Sequence, residues 1–186
     1  DAGTLQTLDG MNPTYTFQTP GIYAVTLNVT DTEGNYATDT ITITVLDITK
    51  PVANAGADRT VNEDTSITLD GSASTDNVGI TTYAWTFTDV TAKTLTGEKP
   101  TYTFNTPGVY TITLNVSDAA GNWATDFVVV TVLDITPPIA NAGAEQTVDE
   151  DTSVTFDASG SSDNVDIAGY TWTFTDIGVL RTLSGV

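Results

Sequence analysis

The sequence predicts an all-β protein made of tandem antiparallel sandwiches. Three observations carry that prediction. Apolar and polar residues alternate with period 2, no sustained helical pattern is present, and the chain repeats itself every 87 residues. "GIYAVTLNVTDTEGNYATDTITITVLDITKPVANAGADRTV" from Gly21 returns as "GVYTITLNVSDAAGNWATDFVVVTVLDITPPIANAGAEQTV" from Gly108. Two thirds of the residues from Asp47 to Thr88 match their partners 87 positions on.

The elements of one repeat follow in order. Val52–Val61 reads as a weak strand. Ile67 and Leu69 share one face of a strand near 66–72, and Tyr83, Trp85 and Phe87 one face near 81–88. Lys93–Thr96 is a short strand and Thr101–Phe104 a weak one. Tyr110, Ile112, Leu114 and Val116 share a face, with Thr111, Thr113 and Asn115 opposite, and Val128, Val130 and Val132 line the last strand near 125–133. Turn signals separate these runs: "NED" at 62–64, "STDNVG" at 74–79, "NTPG" at 105–108 and "DAAGN" at 118–122. Threonine is frequent because its branched side chain suits the wetted face of a strand.

The phase of the repeat sets the expected organisation. "DAGTLQTLDG" at the start corresponds to "DIGVLRTLSG" at 176–185. The expected layout is a C-terminal half-unit at 1–46, a complete unit at 47–133 and an N-terminal half-unit at 134–186. Two readings are open: a window on a longer array, or half-units completed by neighbouring copies. In the second, the end of one copy pairs with the start of the next, a head-to-tail contact that builds a filament.

Composition removes whole classes of function. With 24 acidic and 5 basic residues the formal charge is −19, so phosphate backbones and anionic membrane surfaces are poor partners. Histidine and cysteine are both absent, which excludes disulfides, thiolate chemistry, His or Cys zinc sites and Ser-His-Asp catalysis. No apolar run reaches the roughly 18–20 residues of a membrane span. Carboxylate pairs able to hydrolyse glycosides could be drawn from many loops, so they carry no specificity, and repeating the same loops argues against one active site. The expectation is a protein that is not an enzyme.

Seven short strands in about 87 residues describe an immunoglobulin-like sandwich, with Trp85 where that fold buries a tryptophan on its third strand. Tyr23 and Tyr110 resemble its corner tyrosine. The repeat also resembles a known family, the polycystic kidney disease (PKD) domain. The matching residues are "PVANAGADRTV" (51–61), "LDGSASTDN" (69–77), "YAWTF" (83–87), "PTYTFNTPGVYTITLNVSDAAGN" (100–122) and their copies. The wording is most similar to repeat arrays of archaeal cell-surface proteins. One departure is the turn after the tryptophan strand, "WTFTDV" and "WTFTDI", where the family often has Gly-Asp-Gly. The resemblance implies an extracellular, cell-surface spacer or adhesive module.

The expected fold brings the linker and two loops to one pole. The linker supplies Asp47, the "STDNVG" loop Asp76 and Asn77, and the "DAAGN" loop Asp118 and Asn122. The other copies repeat them as Asp134, Asp163 and Asn164, and as Asp31 and Asn35. Calcium takes six to eight oxygen ligands of this kind, so calcium at each domain junction is one reading. The resemblance supports Asp76 most directly, since some PKD domains bind calcium near the linker and this loop. The other reading is turn chemistry, because Asp and Asn bond nearby backbone groups. Glu63, Asp64, Glu150 and Asp151 sit at the opposite pole, toward the next junction, as additional ligands. The linkers "DITKP" (47–51) and "DITPP" (134–138) end in proline and are stiff.

Two sequons, Asn28-Val29-Thr30 and Asn115-Val116-Ser117, lie 87 residues apart on outward strand positions, and both are candidate glycosylation sites. Trp85 and Trp172 read as core. Trp123 follows the "GN" loop and reads as partly exposed, packed against the junction or stacked on a sugar. The whole describes a non-catalytic extracellular repeat: a semi-rigid, calcium-stiffened stalk, surface-layer element or filament. Its expected partners are copies or repeats of itself and cell-surface glycans. The alternative is a carbohydrate-binding or spacer module of a secreted or surface hydrolase or adhesin.

Overall fold

The computed structural model describes residues 5–185. Residues 1–4 and 186, which belong to the half-units expected at 1–46 and 134–186, lie outside the described residues. The described chain is all-β, as the alternation predicts. Its strands are β1 (Gly21–Thr30), β2 (Tyr36–Val45), β3 (Arg59–Asn62), β4 (Ser66–Thr68), β5 (Ile80–Asp89), β6 (Thr91–Thr96), β7 (Thr101–Thr103), β8 (Gly108–Asp118), β9 (Trp123–Leu133), β10 (Tyr170–Asp176) and β11 (Val179–Gly185). Seven of them, β3 to β9, fall between residues 47 and 133. They form a five-stranded sheet in the order β3-β9-β8-β5-β6, with β3 parallel to β9, and a two-stranded sheet of β4 and β7.

The chain divides into two compact units, and strands β8 and β9 run through both. The first comprises 5–57, 68–100 and 111–128. Its core is Leu69, Trp85, Phe87, Ile112, Leu114, Val116 and Val128, all buried. The inward set predicted on the 110–116 strand is therefore correct for its three aliphatic members. Trp85 is fully enclosed, and its indole N–H donates to the Gly97 carbonyl at 3.1 Å. A Cβ at Gly71 would stand 3.1 Å from the Tyr83 ring and 3.2 Å from the indole, so the space is already taken by these two rings. The same unit contains the antiparallel hairpin of β1 and β2, paired from Gly21↔Val45 to Thr30↔Tyr36.

The second unit comprises 58–67, 101–110 and 129–185, with Ile67, Phe104, Val130 and Val132 buried. Tyr110 packs on Phe104 with ring centres 4.4 Å apart and donates its hydroxyl to the Thr106 carbonyl at 2.7 Å. Tyr23 makes the same bond to Thr19 at 2.7 Å. Both are corner tyrosines closing a loop four residues back. The hairpin of β10 and β11 also belongs to this unit.

Three expectations change. The weak strand at 52–61 reduces to an isolated bridge, Val52↔Thr75, and the short β3. Asn54 breaks the ladder between them: its side-chain oxygen accepts the Gly56 N–H at 2.9 Å, while the Ala55 N–H turns to Asp126 at 2.8 Å. Among the described residues of the third copy only β10 and β11 are strands, and residues 139–168 retain the single bridge Ile139↔Ser162. Trp172, expected as core, is half-buried and stacks on Phe156 at 5.0 Å.

The unusual turn after the tryptophan strand has two forms. In the third copy Ile177 and Gly178, at φ 47° and 74°, make a two-residue turn of the kind whose twist suits a hairpin. In the complete repeat Val90 alone separates β5 from β6, at φ 58°. A β-branched residue there is strained.

Candidate metal centre at the loop pole

Asp47, Asp76 and Asp118 meet. One oxygen from each carboxylate lies within 4.8 Å of the other two, and among the described residues this is the one group of three acidic side chains so arranged. All three belong to the first unit. Each is placed by local chemistry. Asp47 ends the strand-to-linker passage, with its Oδ1 accepting the Thr49 N–H at 3.0 Å. Asp76 caps its own loop: Oδ2 accepts the N–H groups of Val78 and Gly79 at 2.9 and 2.8 Å. Asp118 is buried at the end of β8 and holds the Asn122 N–H at 2.8 Å.

The two predicted asparagines act as braces. Asn122 donates its amide to Asp118 Oδ2 at 2.7 Å and to the Asp47 carbonyl at 3.3 Å. Asn77 donates to Asp47 Oδ1 at 3.3 Å. Their N–H groups thus knit linker to loops and orient the carboxylates. The other Asp76 oxygen, Oδ1, is sealed from solvent and has no hydrogen-bond donor. Burying such an atom without a partner costs free energy.

Charge is held on Asp118. Burial pushes the Asp118 carboxyl up, but the Asn122 side-chain and backbone hydrogen bonds outweigh it and leave the group below its ordinary value of 3.8. Asp31 behaves alike in the first copy, lowered chiefly by the Asn35 side chain and amide, at 2.8 and 2.7 Å. Three carboxylates this close repel one another, and a bound cation relieves that repulsion. Asp and carbonyl oxygens are hard ligands, suited to calcium rather than to softer metals.

The third copy repeats the loop. Asp163 Oδ2 accepts the Val165 and Asp166 N–H groups at 3.0 and 3.2 Å, and its Oδ1 is again sealed without a donor. Asp134 Oδ1 accepts the Thr136 N–H at 3.0 Å. Asn164 departs from Asn77: it donates to Glu63 Oε2 at 2.8 Å. Asp31 and Asn35 keep their loop geometry but join no other predicted acid in a group of three. Asn28 is exposed on β1, while Asn115 is half-buried on β8, between β5 and β9. Trp123 is 55% exposed, with Lys50 of the linker 5.9 Å from its ring centre.

Sequence reasoning placed Glu63 only as a supplementary ligand. The fold buries it almost wholly, at 2% exposure, against the linker. The Thr136 hydroxyl, then the Ile135 N–H, are the main groups that hold its carboxyl below the ordinary value of 4.5. The signal available was the recurrence of Glu at 63 and 150; its partners lie 72 to 101 residues away.

Comparison with known proteins agrees with this architecture. The PKD domain profile matches residues 1–45, 48–132 and 135–184. The chain is 35% identical over 166 residues to the mouse dyslexia-associated protein KIAA0319-like protein, covering 82% of this chain and 16% of that one. It is 34% identical over 137 residues to chitinase A1 of Niallia circulans, covering 69% and 20%. It is 34% identical over 162 residues to human dyslexia-associated protein KIAA0319, covering 82% and 15%. The chain thus spans a fifth or less of the length of these relatives. It belongs to the PKD domain family, whose members are non-catalytic modules of extracellular and cell-surface proteins.

Proposed function

We propose that this chain is a structural segment of the cell exterior, stiffened by calcium at its domain junctions. The units are those expected at 1–46, 47–133 and 134–186, and the junction ligands are Asp47, Asp76 and Asp118, braced by Asn77 and Asn122. Asp134, Asp163 and Asn164 serve the next junction, and Asp31 with Asn35 the preceding unit. One observation carries the reading: three carboxylates converge while Asp76 Oδ1 is buried without a donor. An Asp that only caps a turn needs Oδ2 alone. A second, sealed oxygen turns an uncompensated cost into a ligand when a cation is present.

The cation joins linker to loops, so a proline linker and a bridged junction together give a semi-rigid stalk, surface-layer element or filament. Copies of the chain, arranged head-to-tail, and surface glycans are its partners in this reading, with Asn28 and Asn115 as glycan carriers. Calorimetry and thermal melting with calcium test it. Saturable binding in the micromolar to millimolar range is expected, and a hundredfold excess over Kd adds about 2.7 kcal/mol of stability. Asp76→Ala and Asp47→Ala should abolish that gain. Absence of binding up to about 10 mM, beyond the range of extracellular calcium modules, returns these acids to turn and solubility roles.

A second reading, a carbohydrate-binding or spacer module of a larger hydrolase or adhesin, is favoured by the likeness to a chitinase and by the exposed Trp123. Retention on insoluble chitin that is lost in Trp123→Ala would support it.

A further inference from the structure

We infer that Glu63 is a latch that fixes the path of the linker and the position of the next repeat's loop. Glu63 stands just past β3. Its backbone N–H donates to the Leu133 carbonyl at 2.9 Å, which ties it to the end of β9. Its Oε1 accepts the Ile135 N–H at 3.1 Å, the Thr136 N–H at 3.0 Å and the Thr136 hydroxyl at 2.5 Å. Its Oε2 accepts the Asn164 amide at 2.8 Å. One carboxylate thus holds two consecutive linker amides, a linker hydroxyl and a loop 101 residues away, all within the second compact unit. These four donors are neutral and all four bonds go to a charged oxygen, the stronger kind, while the Asp134 side chain also lies against the carboxylate.

Two comparisons within the chain single this residue out. Glu150 is the same residue 87 positions on, and it is exposed. Burial of Glu63 therefore comes from the linker and loop it grips, not from its own segment. Asn77, the counterpart of Asn164, turns to the linker Asp47 instead, at 3.3 Å. Where a Glu is in reach, the loop asparagine takes the shorter bond to it. The prolines at 137 and 138 stiffen the linker, but proline restricts only local backbone angles. It cannot hold residue 164 against residue 63. Glu63 does that, and it is a positioning residue for the junction that carries Asp134 and Asp163. The inference stands whether or not calcium binds there.

The test uses the full chain in excess chelator, so its outcome is separate from the calcium titration. In Glu63→Ala, amide exchange at Ile135 and Thr136 should quicken by about tenfold to a hundredfold, while Ile112, Leu114 and Val116 keep their protection. Glu63→Gln keeps a carbonyl acceptor for the linker but sets an NH2 against the Asn164 NH2. It should restore protection at Ile135 and Thr136 without restoring the grip on the loop. That grip is read by the distance distribution between spin labels at Val109→Cys and Val165→Cys, both exposed sites in a chain without native cysteine. The distribution should broaden in both variants. Unchanged exchange and unchanged width in Glu63→Ala overturn the inference. Should Glu63→Ala not fold, an unchanged width in Glu63→Gln overturns it.

Discussion

Leu114 and Leu27 are the same residue in the same strand of the repeat, 87 positions apart, yet Leu114 is fully buried and Leu27 is 59% exposed. Trp85 is enclosed where Trp172 is half-buried. The hairpins form in both places. β5 pairs with β6 as β10 pairs with β11, and β8 lies beside β9 as β1 pairs with β2. The corner tyrosines Tyr23 and Tyr110 make identical bonds. Strand pairing and loop closure therefore follow from sequence that is near in the chain. Burial depends on distant segments packing over these strands, and that is where Leu114 and Trp85 part from Leu27 and Trp172.

The largest effect expected from this contrast is in the core. Trp85→Ala should cost about 3–5 kcal/mol, the range for deleting a buried aromatic ring. Trp172→Ala, at a half-open site, should cost about 1–2 kcal/mol by the area it covers. Chemical denaturation of both variants checks this, and equal losses would mean that the third copy's ring is as enclosed as the second's.

Acid should act next, and on both regions. Asp31, Glu63, Asp118 and Asp157 are held below their ordinary values, and Asp70 falls to about 2 through the Ser72 hydroxyl and amide and Lys99. A carboxyl depressed in the folded state adds stability that is complete above its unfolded value and vanishes as pH falls through the folded one. Stability should therefore be level above about pH 5 and fall between about pH 4 and 2. Denaturation series at stepped pH test the slope. Asp70→Asn should flatten it, and so should Asp31→Asn and Asp118→Asn, each of which removes a depressed carboxyl.

The smallest effect is at the turn. Val90 occupies a left-handed conformation that its copy shares between Ile177 and Gly178. Val90→Asn should stabilise by about 0.5–1 kcal/mol, since asparagine tolerates that conformation and valine does not. Ile177→Asn should act in the same direction. Loss of stability in either variant would show that the hydrophobic side chain is held there by a contact worth more than the strain.

Alternation of Ile112, Leu114 and Val116 was enough to name the inner face, and "STDNVG" and "DAAGN" were enough to name the loops. Asp76 and Asp118 are legible because each makes its bonds within four residues. Their meeting with Asp47 was legible only through the expected sandwich fold and not from local pattern, since the three come from positions as far apart as 47 and 118. Asn54 was misread as strand because its side-chain turn competes with a ladder on equal local terms.

The sequence by itself determined the hairpin strands, the inward face of 112–116, the corner tyrosines and the turn-capping acids, all contacts made over a few residues or one hairpin. Only the tertiary structure decided that Trp85 is sealed and Trp172 is not, that Asp76 keeps an oxygen buried without a donor, and that Glu63 grips Thr136 and Asn164. The physical reason is range. Alternation and capping are written in neighbouring residues, whereas burial and long hydrogen bonds are fixed by whatever distant segment the fold lays alongside.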